Sequence, residues 1–321
     1  MMKSIKYAPL LLLLFCCFSC KNNKVSEHSS VQVPVKSQQD TAVQAFSLPV
    51  VPAVLTTPAL RADYLVNHYW DHFNFSDTNY IHHPEITEQA WVDYTDLLTH
   101  VSLPTAKNAI KDVMNRASGK EKKMFIYFTD LADKYLYDPN SPARNEEFYI
   151  PVLETMMASP ILSDTEKIRP KARLELAQKN RIGTKATDFT YTLASGAKGT
   201  LQGLSTEFTL LFFNNPGCHA CDEYIKAIKG SSIINKLIAD KRLKVLAIYP
   251  DEELDEWEKH QQEFPKEWIN GYDKSASIKK KNVYDLKAIP SLYLLDKEKM
   301  VLLKDVTLPA IEAYFKTSKI E

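Results

Sequence analysis

Cysteine is scarce in this 321-residue chain: there are five, Cys16, Cys17, Cys20, Cys218 and Cys221. Three crowd the N-terminus and two lie 200 residues away, which excludes a fold stapled by several disulfides. Glycine is nearly as rare, at eight residues, and none begins a phosphate-cradling loop before a Lys-Ser or Lys-Thr pair. A Gly-x-Ser-x-Gly nucleophile elbow is also missing, so nothing points to a nucleotide enzyme or that kind of hydrolase. Neither sign of charge prevails, because 40 basic residues face 40 acidic ones, and the chain carries no global footprint for nucleic acid. Nor does any apolar run reach the roughly 20 residues that span a bilayer. What is present is ordinary for folded protein: 45% apolar and 25% charged residues over a length that suffices for two domains.

The N-terminus reads as an export signal over residues 1–19. Lys3 and Lys6 precede the apolar run Leu10 to Phe15, and the small residue Ser19 stands before Cys20. Cys17-Phe18-Ser19-Cys20 resembles a bacterial lipobox, which implies that Cys20 becomes the lipidated first residue of the mature protein and anchors it to a membrane of the cell envelope. Cleavage would also remove Cys16 and Cys17, leaving only Cys218 and Cys221 as side-chain thiols for other purposes. Residues 20–58, rich in Ser, Gln, Val, Pro and Thr with little periodicity, are expected to form a flexible tether.

Residues 59–181 read as an all-α domain. Helices are predicted over 59–74, 84–101, 104–117, 120–137, 145–157 and 165–179. Pro84-Glu85-Ile86-Thr87-Glu88 puts proline and acids where a helix N-terminus favours them. Trp91, Tyr94, Leu97, Leu98 and Val101 fit one buried stripe. The pattern changes near Ile182. From there to residue 321, strands are predicted over 189–193, 208–213, 243–249, 291–295 and 301–306, with helices over 220–237, 252–264, 277–284 and 310–316. That order belongs to an α/β domain. Between Asp251 and Trp268 eight acids face two lysines, a run best read as a solvated helix face.

The chemistry lies where the apolar strand Phe208 to Phe213 runs through Asn214-Asn215-Pro216-Gly217 into Cys218-His219-Ala220-Cys221. Two cysteines then open the next helix. Backbone N–H groups at a helix N-terminus stabilise a thiolate, so the outer Cys218 is the expected nucleophile, and Cys221, one turn further in, is placed to resolve a mixed disulfide. His219, when protonated, would favour the Cys218 thiolate, and Asp222 and Glu223 would oppose it.

With the second landmark Ala288-Ile289-Pro290-Ser291-Leu292-Tyr293-Leu294-Leu295, residues 182–321 resemble the thioredoxin superfamily, in particular its exported, membrane-tethered TlpA/ResA-like branch. The resemblance implies an α/β thioredoxin fold preceded by the all-α domain. It also implies a cis bond between Ile289 and Pro290, a loop opposite the cysteines, and pairing of the backbone at Ile289 and Pro290 with an incoming substrate chain. Residues 251–285 resemble the extra strand-and-helix insertion of that branch. Three positions depart from the pattern: Gly217 stands where tryptophan is common, Phe212 where cytoplasmic thioredoxins bury an aspartate, and Tyr224 where many tethered relatives place a glutamate. The helical half resembles a poorly characterised domain that precedes thioredoxin-like domains in lipoproteins of some Gram-negative bacteria.

The expected activity is therefore envelope thiol–disulfide exchange on a protein or small-thiol substrate, with a separate redox partner that resets the dithiol and with no cofactor. The alternatives are a non-catalytic binding module, or a copper or zinc carrier that uses the same cysteines. His68 and His72, spaced by four with Asp71, His82 and His83 nearby, form a rival metal constellation. Tyr69 holds the position where helical zinc hydrolases carry glutamate, and exposed or aromatic-packed histidines are the commoner outcome.

Overall fold

The computed structural model describes residues 44–119, 121–318 and 320. The signal, Cys20 and the first part of the tether lie outside them. Residues 44–57 have neither helix nor strand, yet they are held: Gln44 O accepts from the Tyr80 hydroxyl at 3.0 Å, and the Phe46 ring packs 5.0 Å from Tyr69 and 5.2 Å from Trp70. The end of the segment assigned to the tether thus belongs to the folded body.

Six helices follow: α1 (Pro58–His68), α2 (Pro84–Leu97), α3 (Leu103–Ser118), α4 (Lys122–Ala132), α5 (Glu146–Ala158) and α6 (Asp164–Ala177). Their starts are written locally. Thr57, Ser102, Asn145 and Ser163 each accept a backbone N–H from the first turn, Ser163 in a reciprocal capping box with Glu166, and proline opens α1, α2 and α3. α1 ends six residues before the predicted limit, and a turn carries Trp70 and Phe73 into the core. There Trp70, Trp91, Tyr94, Phe125 and Phe128 are fully buried, so the predicted stripe on α2 faces an aromatic interior.

The second half is an α/β domain of the thioredoxin type. β1 (Thr190–Leu193), β2 (Lys198–Thr200), β3 (Phe208–Phe213), α7 (His219–Gly230), α8 (Ser232–Ala239), β4 (Leu243–Tyr249), α9 (Leu254–Lys259), β5 (Ile269–Tyr272), α10 (Ser277–Lys280), β6 (Ser291–Leu295), β7 (Val301–Lys304) and α11 (Leu308–Thr317) follow in order. The seven strands form one sheet in the order β2-β1-β5-β4-β3-β6-β7. β3 lies inside it, parallel to β4 and antiparallel to β6, and every one of its residues is buried. Leu210 and Phe212 join the cluster with Cys221, Ile225 and Ile311, while Leu211 and Phe213 join the cluster on the other face with Tyr284 and Tyr293. Burial on both faces explains why this strand reads as an unbroken apolar run.

β2 and β5 escape the sequence pattern. Each contains a glycine beneath one ring: a Cβ at Gly199 would lie 2.5 Å from Tyr191 on β1, and one at Gly271 would lie 3.0 Å from it. The residues that make room for Tyr191 erase the β-propensity signal. The single helix predicted over 220–237 is two, because Gly230 ends α7 and Ser231 caps α8 by accepting from Ile234 N.

Both halves belong to one compact unit, Val43–Glu321. Charged groups join them. Glu146 at the start of α5 meets Lys287 at 3.1 Å and also Lys304, and Arg144 reaches Asp305 at 3.1 Å. No helix of the described residues is long and apolar enough to cross a membrane.

Candidate active site

β3 delivers the chain to a turn at Asn214–Gly217. Gly217 has φ +67°, a left-handed conformation that glycine adopts without strain. Cys218 is still extended, at φ −86° and ψ 116°, and occupies the N-cap position of α7, whose first residue is His219. Its carbonyl accepts from Asp222 N at 3.0 Å. Cys218 is half-buried and Cys221 is 1% exposed, and both are free thiols. The Cys221 sulfur takes one hydrogen bond, from the Asn215 backbone N–H at 3.4 Å. Burial pushes the Cys221 thiol up to about 12, the Asn215 N–H opposes that rise, and the neighbouring Cys218 and the charge of Asp222 add to it.

Opposite stands the loop before β6. The Ile289–Pro290 bond is cis. Ser291 pairs in register with Phe213, so Pro290 and the turn after β3 lie at the same end of the sheet. Ile289 and Cys218 both pack against the apolar cluster that contains Cys221. Ser291 Oγ donates to Ala288 O at 2.8 Å and lies 3.3 Å from Asp305 Oδ1, whose other oxygen is held by Arg144. A side chain of the helical half thus supports the proline loop at second hand.

The remaining candidates spread around the head of α7. His219 is 87% exposed at its side chain and lies 3.7 Å from Glu223, an acid one turn along the helix. Asp222 is partly buried and Glu223 exposed. Phe212 is fully buried beneath Cys221, with Trp268 edge-on at 6.4 Å, and supplies no proton acceptor. Tyr224 supplies none either: burial raises its phenol above the ordinary value, Arg144 opposes that rise and Asp305 adds to it.

Two contributors were not legible. Arg144 lies 161 residues from Asp305 and has no motif around it. His260, just beyond α9, lies against the cysteine turn, its Nε2 being 3.6 Å from where a Gly217 Cβ would stand. The one available signal was the small residue at 217, where the family places a large ring. Away from this site, His68 Nδ1 is hydrogen-bonded to Asp71 at 2.8 Å and His83 Nδ1 to Glu85 at 2.8 Å. Among the described residues no group of three or more His, Cys, Asp or Glu side chains is arranged to hold a metal ion.

The raised Cys221 thiol carries a pH prediction. The folded, reduced protein holds this proton more tightly than the unfolded chain does, so the contribution to stability is complete below about pH 9 and is lost as pH rises through about 12. Under reducing conditions, urea midpoints should therefore fall more steeply between about pH 8.5 and 10.5 for the parent than for Cys221→Ala. The raised tyrosines contribute to both proteins and cancel in the difference. Parallel slopes would contradict the burial argument.

Residues 17–180 match a domain of unknown function (DUF5106), and residues 206–301 match a family described as thioredoxin-like. Among solved structures, the chain is similar to a thioredoxin-like protein from Bacteroides caccae ATCC 43185, at 66% identity over 86% of this chain and 99% of that one, with a TM-score of 0.84. It is also similar to the C-terminal domain of an uncharacterized protein from Bacteroides fragilis NCTC 9343, at 65% identity over 43% of this chain and 98% of that one, with a TM-score of 0.42. The thioredoxin domain of a thiol–disulfide oxidoreductase from Bacteroides vulgatus matches at 18% identity over 43% of this chain and 97% of that one, with a TM-score of 0.39. No curated protein matches the chain.

Proposed function

The chain belongs to the thioredoxin-like proteins, with a DUF5106 domain ahead of its thioredoxin-like domain, and on that premise we propose that it is a thiol–disulfide oxidoreductase of the bacterial cell envelope, tethered through lipidated Cys20. The observation that carries the reading is the asymmetry of the two free thiols: Cys218 is reachable at the head of α7 and Cys221 is sealed beneath it, opposite the Ile289–Pro290 loop.

The Cys218 thiolate attacks one sulfur of a client disulfide, forming a mixed disulfide and expelling the client's other sulfur as a thiolate that takes up a proton. The backbone at Ile289 and Pro290 holds the client chain during this step. Cys221 then loses its proton and attacks the Cys218 sulfur, so the Cys218–client bond breaks as the Cys218–Cys221 bond forms. The client leaves reduced by two electrons and the pair is left oxidised by two. A separate thiol donor returns those electrons. A tethered enzyme meets only what shares its compartment, so the client is an envelope protein or a local small thiol.

The test is a redox titration of the protein in glutathione buffers, read by the mass of peptides carrying alkylated Cys218 and Cys221. A single reversible two-electron transition confined to Cys218 and Cys221 is expected. A pair that does not cycle would leave a binding module.

A further inference from the structure

The usual carboxylates of the fold, proton acceptors for the buried thiol, are missing here because Phe212 and Tyr224 occupy their places, and the Cys218 thiol too must give up a proton to become a nucleophile. The segment after α9 supplies a different group. His260 Nδ1 lies 2.7 Å from Glu263 Oε1. A carboxylate only accepts, so Nδ1 is the donor and the neutral ring has its lone pair on Nε2. Nε2 is the atom that abuts Gly217, the residue before Cys218. Nothing on its own segment claims it. Glu256 Oε2 is 4.0 Å away, beyond hydrogen-bond length, and the other Glu256 oxygen is occupied by Lys259. The imidazole is only 26% exposed, so its orientation is set by packing as well as by Glu263. Any side chain at 217 larger than hydrogen would grow directly toward this ring.

Resting on the oxidoreductase reading above, we propose that His260, oriented by Glu263, is the proton-exchange group of the cysteine turn. Nε2 takes the proton from the Cys218 sulfur, directly or through one water, and the thiolate so formed attacks the client disulfide. The imidazolium then gives the proton to the departing client thiolate. One S–S bond forms, one breaks, and the proton returns to sulfur, so no further reactant is needed. The charged groups on the ring's own segment are Glu256, Lys259 and Glu263, and the turn it packs against at Gly217 leads directly into Cys218. His219 and Glu223 open α7 with exposed side chains 3.7 Å apart, so His219 faces solvent whereas His260 is held by packing.

The test uses full-length protein and measures two quantities across about pH 5 to 9: the alkylation rate of Cys218 in a Cys221→Ser background, and the exchange rate of intact Cys218–Cys221 protein with an aromatic disulfide. His260→Ala and His260→Gln should slow exchange about tenfold or more near pH 6.5 and displace the alkylation curve upward by about one pH unit. Glu263→Gln keeps the ring and removes its charge partner, and should move the curve part of that way. A purely structural role would lower amplitude or stability without moving the curve. If the parent exchanges normally and neither His260 variant alters rate or profile, the assignment of His260 is overturned and the oxidoreductase reading stands. If the parent itself exchanges with no disulfide, both fall.

Discussion

Cys221→Ser should accumulate a mixed disulfide on Cys218, and Cys218→Ser should lose exchange by on the order of 10³-fold or more. The contrast follows from position. Cys218 stands at the N-cap position of α7, where a client sulfur can reach it, whereas Cys221 is 1% exposed and burial raises its thiol to about 12, so it stays protonated near pH 8. Alkylation of the reduced protein at that pH should accordingly mark Cys218 and spare Cys221. With serine at 221 no second sulfur can attack the Cys218–client bond, and the captured partner should run with the protein on a non-reducing gel and leave it on reduction. With serine at 218 the remaining thiol is both buried and protonated, and trapping should be marginal. Equal alkylation of the two thiols, no capture by either variant, and protection of the pair by added copper or zinc would together favour the metal-carrier alternative.

Trp70→Ala should destabilise the protein by about 3–5 kcal/mol, the usual cost of deleting a fully buried aromatic side chain. Its ring is 1% exposed and stands among Phe46 at 5.2 Å, Phe73 at 5.3 Å, Tyr94 at 5.8 Å and Phe128 at 5.2 Å. Those rings come from the segment before α1, the turn after it, α2 and α4, so the cavity left behind cannot be closed by moving one element. Trp70→Phe, which retains an aromatic body, should lose about half as much. Urea unfolding followed by far-UV circular dichroism would measure both. A loss below about 1 kcal/mol for the alanine variant would mean that this aromatic cluster is not what holds the helical half together.

The residue order already contained everything whose cause is local. Proline and acid at Pro84-Glu85, hydroxyl caps at Thr57, Ser102 and Ser163, and the 3.6-residue stripe on α2 specify helices through contacts within one turn, and α2 to α6 begin within two residues of their expected starts. The apolar run Phe208 to Phe213 and the two cysteines after it announced a strand leading into a helix for the same reason. β2 and β5 stayed hidden because Gly199 and Gly271 answer to the Tyr191 ring on a neighbouring strand, not to their own neighbours in sequence. Only the tertiary structure could decide that Phe46 joins the helical core, that Glu146 ties α5 to Lys287 and Lys304, that Arg144 steadies Asp305 beside Ser291, and that His260 faces Gly217. Each of these pairs lies far apart along the chain, and burial together with charge pairing selects it only after the sheet and helices have brought the partners within reach.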